Sequence, residues 1–305
     1  MLKVILSFIF VSSLVKSDTI FLREDRNHLP AVSDELLIDV RSKEKYWKES
    51  IPIRFRDATV ADVRRQLGTI LPGEAGYVDA PAKKTIFDKE KIIPDSFDAR
   101  KFWPNCAAVI GHIHDQSNCG SCWAFGSTGA FNDRYCIATG DYKTLFSAAD
   151  TLSCCTGIGC YLSMGCNGGQ PAGAWHWFST HGVATGGDYE NLNDGTSCKP
   201  YPLQSCAHHV DPPEGVVACD KLEPYHTPRC TKMCSDSHYE VKYNTDMHYA
   251  GSSYSVRGEE HMQREIMELG SLSVALSVFE DFELYKSGDS KRGLEHYFVI
   301  HALCC

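Results

Sequence analysis

Cysteine placement constrains this chain more strongly than any other feature of its sequence. Of its 15 cysteines, 13 lie between Cys106 and Cys234, and residues 1–105 contain none. Such a density is normal for proteins that fold in an oxidising compartment and hazardous in a reducing cytosol. Because the total is odd, at least one thiol stays outside a disulfide if all the others pair. We therefore expect a cysteine-free leader followed by a body held together by disulfides.

The N-terminus has the features of a secretory signal. Lys3 precedes an apolar run, Val4–Val15, that is too short to span a bilayer, and Val15 and Ser17 are small enough for the cleavage positions. We predict a signal peptide over residues 1–17; the alternative is an uncleaved N-terminal helix. The chain is then expected to enter the secretory pathway and to be secreted or lysosomal.

Composition and charge narrow the class of protein. Hydrophobic residues make up 43% and charged residues 23% of the 305 residues, which is ordinary for a globular chain of about two domains. The formal net charge is −9, so neither nucleic acid nor an anionic membrane surface is an expected partner. No stretch after the signal predicts a transmembrane helix.

Residues 18–92, called the leader below, are rich in charge and carry helical spacing. Apolar residues recur at helical intervals within Leu36–Val40 and again within Val60–Leu67. The last part, Leu71–Ile92, contains several Pro and Gly residues and is predicted to be a loop. We therefore predict a helical leader that folds separately and is removable at its exposed end.

The body, residues 93–288, combines predicted helices with bridged loops. Apolar spacing predicts three helices, over Ser121–Ala138, Ser147–Leu152 and Pro171–Thr180. A strand is predicted within Leu272–Phe282. The stretch Gly187–Ser237 is rich in Gly, Pro, Cys and His and is predicted to be a loop held by disulfides. The tail, residues 289–305, shows no clear pattern.

One short segment, Asp115–Phe125 (DQSNCGSCWAF), carries the candidate chemistry. A thiol attacks a carbonyl carbon only as the thiolate, and a position at the start of a helix beside a histidinium lowers the thiol pKa. Cys122 would occupy that position. The side-chain amide of Gln116 would join the Cys122 backbone N–H in holding an oxyanion. The alternatives are a bridged Cys122 and a Gln116 that is merely a loop amide.

Several segments together resemble the cathepsin B-like cysteine proteases of the papain family. Cys-Gly-Ser-Cys-Trp is the papain and cathepsin signature. Pro94–Arg100 resembles the start of a mature cathepsin B chain, Cys166–Gly169 the cleft motif, and Cys206–His209 the occluding loop. The resemblance implies an α+β, papain-like two-lobed fold over residues 93–305, with a helical left lobe and a β-rich right lobe, preceded by a helical pro-segment formed by the leader.

The function implied by the resemblance is that of a zymogen. Its active form would hydrolyse peptide bonds through a thioester on Cys122, both internally as an endopeptidase and by removing C-terminal dipeptides as a peptidyl-dipeptidase. Peptide and protein substrates, the chain's own pro-segment and cystatin-type inhibitors are the expected partners. No cofactor and no metal are expected.

The same resemblance assigns substrate-binding roles to four residues. Gly168 and Gly169 would line the cleft, where the lack of a Cβ atom lets a peptide backbone lie close. His208 and His209 would receive the C-terminal carboxylate of the substrate, and Asp115 would pair with His208 to latch the loop at acidic pH. The alternatives are an ordinary glycine turn and two solvated loop histidines.

Disulfide connectivity does not follow from cysteine spacing, but the resemblance implies six bridges. They are Cys106–Cys136, Cys119–Cys166, Cys154–Cys230, Cys155–Cys160, Cys198–Cys234 and Cys206–Cys219. Cys122 is left outside them, as a nucleophile must be. Cys304 and Cys305 have no family counterpart.

The resemblance breaks after Gly288, in the region that supplies the family's general base. His301, followed by Ala302, lies 13 residues beyond Gly288 and is the candidate base; the alternative is a chance histidine. The sequence contains no Asn-Ser-Trp motif, whose asparagine orients the imidazole in the family. We therefore expect an incomplete right lobe after about residue 288, and weak or absent activity for this chain.

Two other classes of protein compete with an active protease. The main alternative is a non-catalytic papain-fold protein that binds peptides or inhibitors through its cleft. A dithiol oxidoreductase based on Cys119 and Cys122 is disfavoured because the sequence lacks a thioredoxin-like βαβ context. A structural zinc site is disfavoured because the cysteines lack paired ligand spacing.

Overall fold

A computed structural model of the protein describes residues 26–43, 47–50, 55–83, 92–207, 214–222, 225–288 and 299–304. The predicted signal peptide, residues 1–17, lies outside the described residues. Within the described residues, no helix combines the length and the apolar character needed to cross a bilayer.

The helices of the body form close to where the apolar spacing predicts them. The α-helices in the described residues are α1 (Asp34–Lys43), α2 (Val60–Gln66), α3 (Ala99–Phe102), α4 (Ala107–Ile110), α5 (Cys122–Thr139), α6 (Ala148–Cys154), α7 (Pro171–Thr180) and α8 (Glu259–Leu269). Helices α5 to α7 agree with their predicted bounds to within two residues. Gly140 adopts a left-handed conformation (φ 78°) and ends α5, which is the usual role of glycine after a helix.

Strands in the described residues pair in twos. They are β1 (Trp47–Glu49), β2 (Cys206–Ala207), β3 (Val217–Ala218), β4 (Ala275–Phe279), β5 (Tyr285–Gly288) and β6 (Val299–Cys304). Strand β1 pairs antiparallel with β5, β2 parallel with β3, and β4 antiparallel with β6. The prediction of a tail without pattern is wrong for residues 299–304, because each paired residue of β4 lies 20 to 29 residues earlier and local spacing cannot reveal it.

Helix α5 runs through the main core of the body. Its Trp123 and Phe131 are buried with Leu152 of α6, Phe178 of α7 and Tyr201 of a following loop. The rings of Phe131 and Phe178 stack with centroids 5.3 Å apart. Large buried side chains of this kind each contribute about 1.5–3 kcal/mol relative to exposure, so packing on several sides holds the start of α5 in place.

Six disulfides brace the body, and they are the six that the resemblance implies. They join Cys106 to Cys136, Cys119 to Cys166, Cys154 to Cys230, Cys155 to Cys160, Cys198 to Cys234 and Cys206 to Cys219. Cys122 takes part in none of them. The loop-rich stretch 187–237 is therefore anchored covalently rather than by regular structure.

The leader has an apolar cluster that one buried body residue joins, and its separate folding stays a prediction. Val40 of α1, Trp47 of β1 and Val63 of α2 share an apolar cluster with Leu284, which belongs to the body. Strand β1 of the leader also hydrogen-bonds β5 of the body. Nine of the ten buried members of this cluster belong to the leader, and the body contributes Leu284 and the strand that pairs with β1.

This packing predicts that Leu284→Ala destabilises the whole zymogen. Leu284 is 0% exposed, and truncating a fully buried Leu costs about 2–5 kcal/mol through lost burial and the cavity left behind. The free energy of unfolding is to be measured by urea denaturation. Leu269→Ala, at a site 42% exposed, is the matched control and should change it by less than about 1 kcal/mol. Equal effects of the two substitutions would contradict the shared cluster.

Candidate active site

Cys122 is the first residue of α5 and is 2% exposed. The backbone N–H groups of a helix's first turn lack partners within the helix, so this end of an 18-residue helix favours negative charge. The Cys122 Sγ atom lies 3.4 Å from the Oγ1 atom of Thr69, a residue of the leader. The candidate nucleophile thus sits at a helix N-terminus, covered by the leader.

Gln116 directs its side-chain amide toward the same place. Its Nε2 atom donates to the Cys119 carbonyl oxygen at 2.8 Å and to the Gln66 carbonyl oxygen at 3.3 Å. Gln66 is the last residue of the leader helix α2. The Gln116 carbonyl accepts a hydrogen bond from the Tyr201 hydroxyl at 2.9 Å, which fixes the backbone that carries the amide.

Gly168 and Gly169 form the wall on which the leader backbone lies. The Gly169 N–H donates to the Gly68 carbonyl at 2.7 Å, and the Ile70 N–H donates to the Gly169 carbonyl at 3.0 Å. Thr69 and Gly169 pair in parallel orientation. A Cβ atom at Gly169 would lie 2.5 Å from the Trp123 ring, so this position requires glycine. The wall therefore admits an extended backbone and binds it by main-chain hydrogen bonds.

Asp115 ties the bridged insertion to the segment that carries Gln116. Its carboxylate accepts the Ser117 N–H at 2.7 Å and the Cys206 N–H at 3.0 Å. Cys206 is bridged to Cys219 at the base of the insertion. His208 and His209 lie outside the described residues, so the predicted latch between Asp115 and His208 remains a prediction.

His301 lies on β6, and its backbone pairs with Val278 of β4. Cα atoms of β6 lie within 8 Å of Cα atoms in α5 and in the leader helix α2. The strand of the candidate base therefore neighbours the helix of the candidate nucleophile. The end of α5 at Thr139 and the start of β6 at Val299 are separated by 159 intervening residues.

One feature of the site and one cluster next to its sequence motif were not predicted from the sequence. Leader residues Gln66 and Thr69 contact Gln116 and Cys122, which no local pattern announces. A carboxylate, Asp188, accepts hydrogen bonds from two histidines in the segment just before Asp115. The His-x-His spacing of that segment was a usable signal, since alternate residues of an extended chain share a face.

Comparisons with known proteins agree with this geometry. Residues 93–304 match the family model described as papain family cysteine protease. Cathepsin B-like cysteine proteinase 4 of Caenorhabditis elegans is 38% identical over 262 residues, covering 85% of this chain and 74% of the relative. A cathepsin B-like cysteine proteinase of Schistosoma japonicum is 43% identical over 198 residues, covering 64% of this chain and 54% of the relative.

A solved structure extends the likeness to the leader. ProCathepsin B S9 from Trypanosoma congolense superposes with a TM-score of 0.69 at 26% identity, covering 90% of this chain and 82% of that one. The α+β, papain-like fold expected from the sequence is confirmed, and the leader takes the place of a pro-segment. The chain belongs to the papain family of cysteine proteases and is cathepsin B-like.

Proposed function

We propose that this protein is made as a zymogen and hydrolyses peptide bonds with Cys122, Gln116 and His301. The observation that carries the proposal is that one leader segment, residues 66–70, contacts the Gln116 amide, the Cys122 sulfur and the glycine wall. The strand neighbourhood of His301 supports its role as the base. Peptides and proteins are the substrates.

The reaction needs a nucleophile, an oxyanion site and a proton carrier. The Cys122 thiolate attacks the scissile carbonyl carbon, and the electron pair of the C=O bond moves to the oxygen. The Gln116 Nε2–H and the Cys122 N–H hold that oxyanion. As the oxyanion collapses, the C–N bond breaks and the amine leaves with a proton from the His301 imidazolium. Water, deprotonated by the imidazole, then hydrolyses the thioester and restores the thiolate.

The leader would block this reaction by occupying the same groups. The Gln66 carbonyl accepts from the amide assigned to the oxyanion, and Thr69 lies against the sulfur. The Gly68 and Ile70 main-chain groups take the hydrogen bonds of Gly169 that a substrate would need. Because one leader segment, residues 66–70, occupies all of these groups, a peptide substrate binds only after the leader leaves.

A peptidyl-dipeptidase specificity, in which dipeptides are removed from the C-terminus of the substrate, is the finer part of the proposal. His208 and His209 would receive the C-terminal carboxylate of a substrate and favour removal of dipeptides. Support comes from Asp115, which holds the Cys206 amide at the base of the insertion that carries both histidines. Delivery through the secretory pathway to the exterior or the lysosome, and control by cystatin-type inhibitors, belong to the same proposal.

Leader-free protein should label at Cys122 with a peptidyl epoxide and cleave peptide substrates only slowly, because the sequence lacks the Asn-Ser-Trp motif. Cys122→Ser should abolish both the labelling and the cleavage. Gln116→Ala should lower kcat by about 10²–10³, the usual cost of one oxyanion donor. Gln263→Ala, on the surface of α8, is the matched control and should leave kcat unchanged. A leader-free protein that binds peptides but neither labels nor cleaves would favour the non-catalytic alternative.

The histidine pair predicts a specificity that depends on the substrate's C-terminus. His208→Ala combined with His209→Ala should lower kcat/KM for peptides with a free carboxylate by about 10–100-fold, since each charge-assisted hydrogen bond is worth about 1.5–3 kcal/mol. The same peptides with an amidated C-terminus provide the control and should be cut at the parent rate. Equal losses on both substrates would contradict the carboxylate role.

A second part of the leader, around Lys83, is attached to the body by ion pairs. Lys83 of the leader lies 3.1 Å from the buried Glu265 carboxylate, which also pairs with Arg134 at 3.2 Å. Burial acts to raise the pKa of Glu265, but hydrogen bonds from Tyr254 and Lys83 and the charge of Arg134 outweigh it and hold the pKa below its ordinary 4.5. A carboxyl with a lowered folded pKa stabilises the folded contact above its ordinary pKa, and this stability is lost as the pH falls through the lowered value.

Leader attachment should therefore weaken below pH 4.5, the ordinary value for Glu265. Lys83→Met should loosen residues 76–83 at neutral pH and reduce the acid-dependent change. The measurement is hydrogen–deuterium exchange of these residues, corrected for the intrinsic rate at each pH. Lys48→Met, at an exposed position of β1, is the matched control. Identical exchange of the two variants at every pH would rule out this anchor.

A further inference from the structure

Two histidines and a carboxylate converge outside the cleft. The His112 Nε2 atom lies 2.5 Å from Asp188 Oδ2, and the His114 Nδ1 atom lies 2.8 Å from Asp188 Oδ1. One ligand-type atom from each of the three side chains lies within 4.8 Å of the other two. Across the described ranges, no other group of three His, Cys, Asp or Glu side chains places its donor atoms this close. Neither the proposed peptidase reaction nor the leader uses this group.

Local backbone geometry explains why both imidazoles meet the carboxylate. Residues 112–116 form no helix, and in an extended chain alternate side chains point to the same face. His112 and His114 therefore face Asp188 together, while Ile113 between them is 89% exposed. The two rings meet edge to face with centroids 4.4 Å apart. Their ring nitrogens present one concave set of donors.

The two backbone segments that supply these side chains are held in place. The Asp188 N–H donates to the Asn191 side chain at 3.0 Å, which fixes the turn that carries the carboxylate. The neighbouring Gly187 carbonyl accepts the Tyr201 N–H at 2.9 Å. The Tyr201 hydroxyl in turn donates to the Gln116 carbonyl, two residues beyond His114. Tyr201 thus connects both segments and keeps the donor set assembled.

We propose that His112, His114 and Asp188 bind a divalent transition-metal cation, of which Zn²⁺ suits the donors best. Two imidazole nitrogens and one carboxylate oxygen are ligands that Zn²⁺ accepts readily, with a water completing the tetrahedron. Mg²⁺ and Ca²⁺ prefer a shell made of oxygen ligands, so two imidazole nitrogens suit them poorly. This site departs from the sequence expectation of no metal.

The three side chains would need to move only slightly to coordinate a zinc ion. Zinc bonds of about 2.0–2.2 Å in tetrahedral geometry put neighbouring donor atoms roughly 3.3 Å apart. The two hydrogen-bonded separations would therefore open by under about 1 Å, within reach of side-chain rotation. The three side chains are each partly exposed, so the cation has a path from solvent.

A bound cation would clamp two parts of the peptidase surface. His112 and His114 precede Asp115 and Gln116, whereas Asp188 precedes the bridged insertion 198–219 in the chain. The cation would join the oxyanion segment to the base of the insertion, parallel to the Asp115–Cys206 hydrogen bond. Metal binding is therefore expected to stabilise the folded chain, since a ligand that binds only the folded state shifts unfolding in its favour.

The test is Zn²⁺ titration by calorimetry of the full zymogen chain carrying Cys122→Ser, which removes the reactive thiol as a competing ligand. Co²⁺ absorption in the visible range reports the coordination geometry. We expect one bound ion per chain and a raised Tm with metal. His112→Ala combined with His114→Ala should weaken binding by more than the about 10–100-fold typical of losing an outer partner.

Two further variants keep the test decisive. Asp188→Asn preserves shape and should also weaken binding, which separates loss of a ligand from loss of folding. His238→Ala is the matched control: His238 lies beside one carboxylate, with 3.7 Å between its Nδ1 and Asp236 Oδ1, and should leave affinity unchanged. The proposal is overturned if the parent binds no Zn²⁺, if the double variant binds as tightly as the parent, or if affinity disappears only in a His208→Ala, His209→Ala chain.

Discussion

The attachment of the nucleophile loop to the glycine wall is the constraint on which the rest of the structure depends. The Cys119–Cys166 disulfide joins the loop before Cys122 to the start of that wall. The Gly120 N–H donates to the Cys166 carbonyl at 3.1 Å, and the Trp123 indole donates to the Gly165 carbonyl at 3.1 Å. The sulfur and the backbone-binding wall therefore belong to one rigid unit. Their separation is set by covalent and buried contacts rather than by mobile loops.

Because the wall binds main-chain groups, the leader can occupy the candidate groove without side chains that resemble those of a substrate. The contacts between the leader and the wall are main-chain hydrogen bonds, which any residue other than proline can supply. The leader backbone lies so close to the nucleophile loop that only glycine fits at position 68: a Cβ atom there would lie 2.0 Å from the Gly120 carbonyl oxygen. Specific attachment comes from elsewhere, through the Lys83–Glu265 ion pair and the apolar cluster around Leu284. Blocking and anchoring are thus performed by different parts of the leader.

Sequence reasoning succeeded where the determinants are local or carried by a motif. Helix α7 begins at Pro171, and α5 begins at the Cys122 of the signature, because a first-turn proline and apolar spacing act within a few residues. The six disulfides were available only through family resemblance, since 12 cysteines allow thousands of pairings. Sequence reasoning failed for β6 and for the cluster around Leu284, because their partners come from distant parts of the chain.

The sequence by itself determined the position of the candidate nucleophile, the helix that carries it and the charged, cysteine-free leader, because each depends on residue type and short spacing. Only the tertiary structure decided that Gln66 lies on the Gln116 amide, that β6 lies against β4, and that Asp188 meets two histidines 74 and 76 residues earlier. The physical reason is that these contacts form between segments far apart in the chain. Their positions follow from the packing of the whole core and from no local pattern.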